Sequence, residues 1–275
     1  MVISFYYQPD LCAGSFRATA LVEALTRLAP NDLGIDVMTT LPNRYASFAE
    51  DCPEFEEVGI ARITRIRIGS HHSDMAGQSR AYITFARRVN ALTKDRNYDL
   101  IFATSSRLMT AALGAWISRK QNAPLYLDIR DIFADTIREV IPQPAAFVAG
   151  RFFDSVEKWT MRRASNINLV SPGFGHYFRG RYPNKSLTWF TNGIDAEFIE
   201  AAKAEPTTLP PDGSITILYA GNIGEGQCLH KIVPPLALAL RQRVKFRIIG
   251  DGGRRRQLEA AIEAAGVENV ELLSP

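Results

Sequence analysis

The chain has 275 residues, 46% of them hydrophobic and 22% charged, a composition typical of a soluble globular protein with one large or two modest domains. Its net charge of +3 is too small to indicate nucleic-acid binding, although it permits weak attraction to an anionic membrane surface. The three cysteines have no metal-ligand spacing, which favours a reducing cytoplasm. Because the apolar runs are too short to span a bilayer, we expect a cytoplasmic protein whose membrane contact, if any, is peripheral at the inner face.

Strand-like and helix-like segments alternate through the first two thirds of the chain. Residues 2–6 predict a buried strand, residues 8–15 a loop, and the apolar spacing that follows predicts a helix with Ser15 as its N-cap. The acidic, proline-broken stretch 50–57 predicts a loop. Further strands are predicted at 35–40, 60–68, 99–103, 125–129, 167–170 and 187–190. This alternation is typical of a doubly wound, mostly parallel α/β sheet.

A second α/β segment follows the proline-rich stretch 204–213, which predicts a linker. Strands are predicted at 215–220, 245–249 and 270–273, and Pro234-Pro235 is expected to start or kink the helix after the first of them. We therefore predict two Rossmann-like domains, residues 1–205 and 214–275. Since an open sheet normally has about five or six strands, the second domain is expected to be incomplete.

The strand at 215–220 stops abruptly at Gly221, and Gly224 and Gly226 follow before an apolar helix. Strand, glycine turn and helix is the geometry that directs backbone N–H groups at an anionic ligand. We interpret this stretch as a phosphate cradle, with the ligand between the two units. The alternative is a tight turn in which glycine serves only packing.

Four pairs or runs of residues resemble motifs of retaining glycosyltransferases with two Rossmann domains (GT-B), specifically glycosyltransferase family 4 and its bacterial lipopolysaccharide and capsule branch. They occur in family order across the whole chain. They are Phe5–Pro9 with Gly14–Arg17, Leu127–Phe133, Ser171–Gly173 with Thr191–Asp195, and Tyr219–Gly224 with Ile249–Gly252.

The resemblance implies transfer of a sugar, with retained configuration, from a nucleotide-diphosphate sugar of UDP or GDP type to a lipid-linked or glycan acceptor. The product would belong to lipopolysaccharide, O-antigen or capsule. No cofactor and no metal are implied, because helix N-termini and cationic side chains neutralise the leaving diphosphate in such folds. No nucleic-acid partner is expected.

The resemblance also assigns site residues. Arg130 and Asp131 follow the strand at 125–129, where strand ends line a crevice, and they are assigned to catalysis; the alternative is an internal ion-pair cluster with Asp128. Donor binding is assigned to Gly14, Ser15, Arg17, Asn192, Gly193, Gly221, Asn222, Gln227 and Lys231. Relatives carry cations where Asn222 and Gln227 stand, so Lys231 or Arg17 would supply the positive charge.

Several of these residues also have a purely structural explanation. Ser15 and Arg17 are equally well explained as a helix cap and a solvated residue of the first turn, and Asn192-Gly193 as a simple turn. Residues 254–256, all arginine, are expected to form a solvated helix face rather than a phosphate or lipid site. Phe152 and Trp159 are expected in the core rather than at a membrane.

The chain ends at Pro275 without the family's acidic Glu-x7-Glu segment, so we expect a C-terminally truncated chain. Two other hypotheses stay open. One is a nucleotide-sugar 2-epimerase of the same fold. The other is an inactive fragment that only binds a partner, with exposed apolar surface driving homodimerisation.

Overall fold

The computed structural model describes residues 1–28, 33–43, 51–69, 75–105, 108–132, 145–194, 196–204, 215–240 and 243–274. The chain separates into two compact units, Met1–Gly193 and Ile194–Pro275. The helix Ala196–Ala204 therefore groups with the second unit, whereas the sequence analysis placed it at the end of the first. Apart from Ala204, the predicted linker lies outside the described residues.

The first unit is built on a mostly parallel sheet, as predicted. Its eight strands run in the order β3-β4-β2-β1-β5-β6-β7-β8, and only the β3–β4 pair is antiparallel. The strands are β1 Val2–Ile3, β2 Ile35–Thr40, β3 Phe55–Val58, β4 Ala61–Ile66, β5 Ile101–Thr104, β6 Leu125–Ile129, β7 Asn166–Leu169 and β8 Ser186–Trp189.

Helices cover both faces of this sheet. They are α1 Ala13–Leu28, α2 Met75–Leu92, α3 Leu108–Gln121, α4 Ala145–Arg163 and α5 Gly175–Arg181. Neighbouring residues of β2 point to opposite faces, and Val37 packs in the cluster that contains Val22 of α1. Met38 packs in the other cluster, together with Phe85 of α2 and Ile117 of α3. The unit is thus a three-layer α/β structure.

The predicted loop at 50–57 is wrong for its last residues, because β3 begins at Phe55. This short strand forms a hairpin with β4, in which Phe55 pairs with Thr64 and Val58 with Ala61. Gly59 supplies the positive φ of the turn, at +58°. The strand lies at the edge of the sheet, where acidic side chains face water and leave no apolar periodicity to detect.

The second unit has the three predicted strands, all parallel, in the order β11-β10-β9. They are β9 Ile215–Ala220, β10 Val244–Ile249 and β11 Val270–Leu273, with helices α6 Ala196–Ala204, α7 Leu229–Leu240 and α8 Arg255–Ala265. Buried Phe246 and Ile248 alternate along β10 with exposed Lys245 and Arg247. One face of this sheet therefore carries the core and the other meets solvent.

Helix α7 runs through Pro234 and Pro235, so the helix does not begin at the prolines. Proline has no N–H to donate, and the carbonyls of His230 and Lys231 consequently receive no helical hydrogen bond. Among the described helices of both units, none has the length and hydropathy needed to cross a membrane.

Helix α3 approaches the sheet most closely at Gly114, where an added Cβ would lie 2.5 Å from the Cβ of Ala103 on β5. We expect Gly114→Ala to lower the free energy of unfolding by about 1 kcal/mol, because overpacking costs about 1–3 kcal/mol and the better helix propensity of alanine returns about 1. All three tryptophans lie in the first unit, so urea unfolding followed by their fluorescence measures its stability.

Gly180→Ala in α5 is the matched control, because nothing lies within 4 Å of an added Cβ there. We expect this change to be neutral or stabilising. Equal effects of the two substitutions would contradict the close approach of α3 to β5.

Candidate functional site

The carboxyl ends of the parallel strands of the first unit carry four of the predicted site residues. Arg130 and Asp131 follow β6, and Asn192 and Gly193 follow β8. Arg17, in the first turns of α1, reaches the same edge through its guanidinium group. Carboxyl ends of parallel strands are where α/β sheets bind ligands, so this edge is the first candidate site.

Arg17 is not available to a phosphate group, contrary to one sequence interpretation, and it is not a solvated residue either. Its Nε and Nη2 atoms donate to the two carboxylate oxygens of Asp128, at 2.8 and 2.9 Å. Nη2 also donates to the carbonyl of Phe190 (2.7 Å), and Nη1 donates to that of Thr191 (2.9 Å). This bidentate, charge-assisted pair ties α1 to β6 and to the chain that leaves β8.

Asn168 of β7 completes the network around Asp128. Its Nδ2 donates to Asp128 Oδ1 at 2.8 Å, and its Oδ1 accepts from the backbone N–H of Phe190 at 2.8 Å. Asp128 and Asn168 are only 2% and 1% exposed. A charge this deeply buried is tolerated because every side of the carboxylate meets a donor.

Arg130 forms no direct ion pair with Asp128 or Asp131, and Asp128 pairs with Arg17 instead. The Nη1 atom of Arg130 donates to the carbonyl of Ala13 (2.8 Å), and its backbone N–H donates to Ser105 Oγ (3.0 Å). Its other guanidinium donors have no hydrogen-bond partner within the described ranges.

Partial burial at this edge shifts the pKa values of the two predicted catalytic residues. Desolvation lowers the pKa of Arg130, with the Arg17 charge acting in the same direction and Asp128 opposing it. Desolvation raises the pKa of the Asp131 carboxyl, and the neighbouring Arg130 charge opposes this. Asp131 nevertheless remains exposed to solvent.

The predicted N-cap role of Ser15 is wrong, because α1 already begins at Ala13. Ser15 and Gly14 are buried in the first turn of the helix, and Ser15 Oγ has no hydrogen-bond partner among the described residues. The glycine loop therefore ends one turn earlier than the motif suggests. Both residues lie beside the carbonyl of Ala13 that accepts from Arg130.

Asn192 and Gly193 lie exposed at the end of the first unit. Asn192 Oδ1 is 3.5 Å from Arg17 Nη1, which is too long for more than a weak hydrogen bond. An added Cβ on Gly193 would meet nothing within 4 Å. Packing therefore does not require glycine here.

In the second unit, the glycine turns after β9 and β10 are packed against each other. The N–H of Gly221 donates to the carbonyl of Ile249, and that of Ile223 donates to Asp251 (2.9 and 2.8 Å). An added Cβ on Gly250 would overlap the carbonyl oxygen of Gly221. Gly221 also has a φ of +153°, which side chains rarely adopt. Close packing of the two turns therefore explains why glycine stands at positions 221 and 250.

The side chains of Asn222 and Gln227 form hydrogen bonds within the first glycine turn. Gln227 Oε1 accepts from the backbone N–H of Gly224 at 3.1 Å and from Asn222 Nδ2 at 3.3 Å. The carbonyl of Asn222 accepts from Tyr219 OH at 2.7 Å. Both predicted donor-binding residues therefore shape the turn, and Gln227 occupies one N–H group that the cradle interpretation assigned to the ligand.

Positive charge beside this turn comes from two residues. Lys231, in the first turn of α7, is exposed, and no described residue pairs with its side chain. Arg254, before α8, forms an ion pair with Glu225 of the turn, and its backbone N–H donates to Ile223 O at 2.9 Å. Arg254 therefore does not lie on the solvated helix face that was expected for residues 254–256. The sequence signal for its position is the Gly-Gly-Arg run that follows β10.

A cavity of about 670 Å³ opens elsewhere in the first unit, between α1 and the β3–β4 hairpin. None of the predicted site residues lines it. The buried Arg65 in its wall is saturated by the carbonyls of Gln8 and Pro53 and by Glu56. Burial, with Glu23 nearby, raises the pKa of Tyr7 in the same wall to about 12. Arg27, which also lines the cavity, is an exposed cation near the end of α1.

Metal-type clusters are not found in the part of the chain that the structure describes: no three His, Cys, Asp or Glu side chains are grouped to hold an ion. The two candidate sites are accordingly built from arginine, lysine, aspartate and backbone groups.

Comparison with known proteins gives the family and the fold. Residues 15–193 match the family described as "Glycosyl transferase 4-like domain". A 93-residue stretch is 30% identical to the protein named "Putative colanic acid biosynthesis glycosyl transferase WcaI" of Escherichia coli (strain K12) and covers 32% of this chain. That stretch spans only 23% of the length of WcaI.

Solved structures agree in fold at low sequence identity. WaaG, a glycosyltransferase involved in lipopolysaccharide biosynthesis, has a TM-score of 0.58 at 13% identity, over 99% of this chain and 69% of WaaG. The lipopolysaccharide outer core galactosyltransferase WaaB gives 0.54 at 11% identity, over 100% and 68%. HepE of Anabaena, solved with UDP, gives 0.53 at 13% identity, over 99% and 68%. These similarities confirm the predicted α/β fold class of the GT-B type.

The Arg17–Asp128 pair permits a test of the strand-end network. We expect Arg17→Met to lower the free energy of unfolding of the first unit by about 3–5 kcal/mol, because it leaves a buried carboxylate without its cation. Adding Asp128→Asn removes the buried, unpaired negative charge, so the double variant should be more stable than Arg17→Met alone. Urea unfolding followed by tryptophan fluorescence measures both.

Arg67→Met is the matched control, since Arg67 pairs with Glu54 on the surface, where both side chains are more than half exposed. Its effect should stay below about 1 kcal/mol. A double variant less stable than Arg17→Met would refute the electrostatic account of this network.

Proposed function

The chain belongs to the family of glycosyl transferase 4-like domains, and we propose that it transfers a sugar from a nucleotide-diphosphate sugar to a lipid-linked or glycan acceptor. The observation that carries this proposal is the paired glycine turns of the second unit, with Lys231 and Arg254 beside them. The proposed product is a surface polysaccharide, because the curated relative WcaI is named for colanic acid biosynthesis.

The donor's diphosphate is proposed to bind at the turn between β9 and α7. The close packing of Gly221 and Gly250 keeps side chains away from the backbone there, and the N-terminus of α7 favours negative charge. Lys231 supplies a free ammonium group. The Anabaena HepE structure, which has the same fold and contains UDP, supports UDP or a similar nucleoside diphosphate as the nucleotide part of the donor.

The chemical step is proposed to involve Arg130 and Asp131. Departure of a nucleoside diphosphate leaves an oxocarbenium-like sugar, so the protein contributes mainly positioning and electrostatic stabilisation. The ionised Asp131 carboxylate would accept a hydrogen bond from the acceptor hydroxyl and orient it. The N–H donors of Arg130 that have no partner among the described residues would bind oxygens of the reacting sugar or its leaving group. We propose retention of configuration, as the family resemblance implies.

Nucleotide binding tests the donor site directly. We expect calorimetric titration to detect UDP or GDP, and Lys231→Ala to weaken that binding about tenfold, the effect of losing one charged hydrogen bond of about 1.4 kcal/mol. Lys245→Ala removes an equally exposed lysine from the solvated face of β10 and should leave the affinity unchanged.

Removing the negative charge of Glu225 should have the opposite effect on nucleotide affinity. This carboxylate lies in the turn itself and opposes a diphosphate, so Glu225→Gln should bind UDP or GDP at least as tightly as the unchanged chain. Absence of binding to both nucleotides, or equal weakening by Lys231→Ala and Lys245→Ala, would exclude the proposed donor site.

Product analysis separates transfer from the epimerase alternative. Incubation with a panel of nucleotide-diphosphate sugars should release the nucleotide, and a sugar acceptor should increase that release. Exchange at the sugar C2 position without nucleotide release would favour epimerisation, and neither reaction would leave a binding role.

Asp131 predicts a pH dependence. Because desolvation raises its pKa, the carboxylate that orients the acceptor is lost at a higher pH than an ordinary aspartate, whose pKa is about 3.9. We expect kcat/KM to fall as the pH is lowered through that raised pKa. Asp131→Asn should lower kcat/KM about 10- to 100-fold and remove this acid limb.

The stability of the same variant serves as the control. A carboxyl group with a raised pKa in the fold stabilises it only while protonated, and this contribution is lost as the pH rises through the folded pKa. Asp131→Asn should therefore be at least as stable as the unchanged chain at pH 7. A loss of both activity and stability would assign Asp131 a structural role.

A further inference from the structure

Three helices of the first unit form one layer on the sheet face opposite α1. Gln121 of α3 donates to the carbonyl of Thr93 at the end of α2 (3.0 Å), and Tyr82 of α2 donates to the carbonyl of Met109. Arg163 of α4 donates to the carbonyl of Ser118 in α3 (2.9 Å). We call the outward side chains of α2, α3 and α4 the outer helix surface.

The outer helix surface carries cations without exposed acids. Its exposed cations are Arg80, Arg87 and Arg88 on α2, Arg119 and Lys120 on α3, and Arg151, Lys158 and Arg162 on α4. The sequences of α2 and α3 contain no acidic residue at all. Eight cations on one layer are a strong asymmetry in a chain whose net charge is only +3.

The two acidic residues of α4 offset only one cation of this surface, Lys158, whose Nζ atom lies 3.2 Å from Asp154 Oδ2. Glu157 is 2% exposed and accepts from the hydroxyls of Tyr177 and Tyr182, at 3.0 and 2.7 Å. Asp154 is partly buried and pairs with Arg181 of α5 and with Lys158. Among the described residues, the exposed acids nearest along the chain are Asp95 and Asp99, which lie in the loop after α2, at the amino ends of the strands.

Large apolar side chains are interleaved with these cations. Trp116 of α3 is 49% exposed, and Phe147 and Phe152 of α4 are 66% and 57% exposed. The Arg151 guanidinium lies 5.8 Å from the centre of the Phe147 ring. Phe152 thus departs from the core position that the sequence predicted, whereas Trp159 packs against the core as predicted. Single exposed apolar residues are ordinary, but aromatic rings among cations are typical of helices that lie on a membrane.

We propose that the outer helix surface docks the protein on a bilayer rich in anionic phospholipid. Arginine and lysine would contact the lipid phosphates, while Trp116, Phe147 and Phe152 enter the headgroup region. We choose an anionic lipid as the partner because its charge is complementary to this surface. Among the described residues of the surface, no exposed carboxylate would repel lipid phosphates. Each cation near an anionic surface strengthens binding roughly fivefold. This proposal does not rest on the proposed sugar transfer.

Vesicle flotation with the whole chain tests the docking surface. We expect the chain to float with vesicles of equal parts phosphatidylcholine and phosphatidylglycerol, and not with phosphatidylcholine alone. High salt should release it, because screening weakens the attraction. The double variant Arg87→Glu with Arg151→Glu should lose at least about 25-fold in affinity, from two cations at roughly fivefold each.

Two matched controls keep the test specific. Arg27→Glu with Lys245→Glu makes the same change in net charge on α1 and β10, outside the outer helix surface, and should retain most of the binding. Phe152→Ala should weaken binding, whereas Phe55→Ala, which removes an equally exposed ring from β3, should not. Tryptophan fluorescence confirms that each variant is folded.

Three results would overturn the proposal. They are a failure to float with anionic vesicles, equal binding to neutral vesicles, and an equal loss of binding in both charge-reversed variants. Binding to single-stranded RNA without any binding to anionic vesicles would also overturn it and would replace the lipid with a polymer as the occupant.

Discussion

The buried ion pair between Arg17 and Asp128 is the constraint on which the first unit depends. Asp128 lies near the end of β6 with a side chain only 3% exposed, and a carboxylate in that position is tolerated only while its donors stay in place. Arg17 therefore fixes the start of α1, and through the carbonyls of Phe190 and Thr191 it also fixes the chain after β8. Asn168 extends the same network to β7, so one guanidinium group aligns the loops of several strands.

This constraint determines which charges remain for a substrate. Because all the donors of Arg17 that face the strand ends are used, the cation that the motif offered for a phosphate is not available. Arg130, two residues after Asp128, uses Nη1 for the carbonyl of Ala13, and its other guanidinium donors have no partner among the described residues. Within the described part of the chain, the strand-end site therefore combines the Arg130 guanidinium with the carboxylate of Asp131. That composition suits a neutral sugar with several hydroxyl groups better than a diphosphate.

Periodicity predicted the buried strands, because apolar side chains on both sides of β5, β6 and β7 leave a clear signal. It missed β3, whose side chains face water at the sheet edge. The Arg17–Asp128 pair joins residues 111 positions apart, so nothing in the local sequence of either residue indicates it. Ser15, the third residue of α1, was predicted as its cap because serine is acceptable both at a cap and within a first turn. The role of Gln227 was hidden because its amide has both a donor and an acceptor.

Packing explains the glycine turns of the second unit and is compatible with the proposed ligand binding. Gly250 lies so close to Gly221 that no side chain fits, and the diphosphate is proposed to approach the exposed Gly221. Gln227 nevertheless occupies the N–H of Gly224, so fewer backbone donors remain than the motif implies. The ion pair of Glu225 with Arg254 contributes no net charge. The ammonium group of Lys231 therefore decides whether this turn attracts an anion.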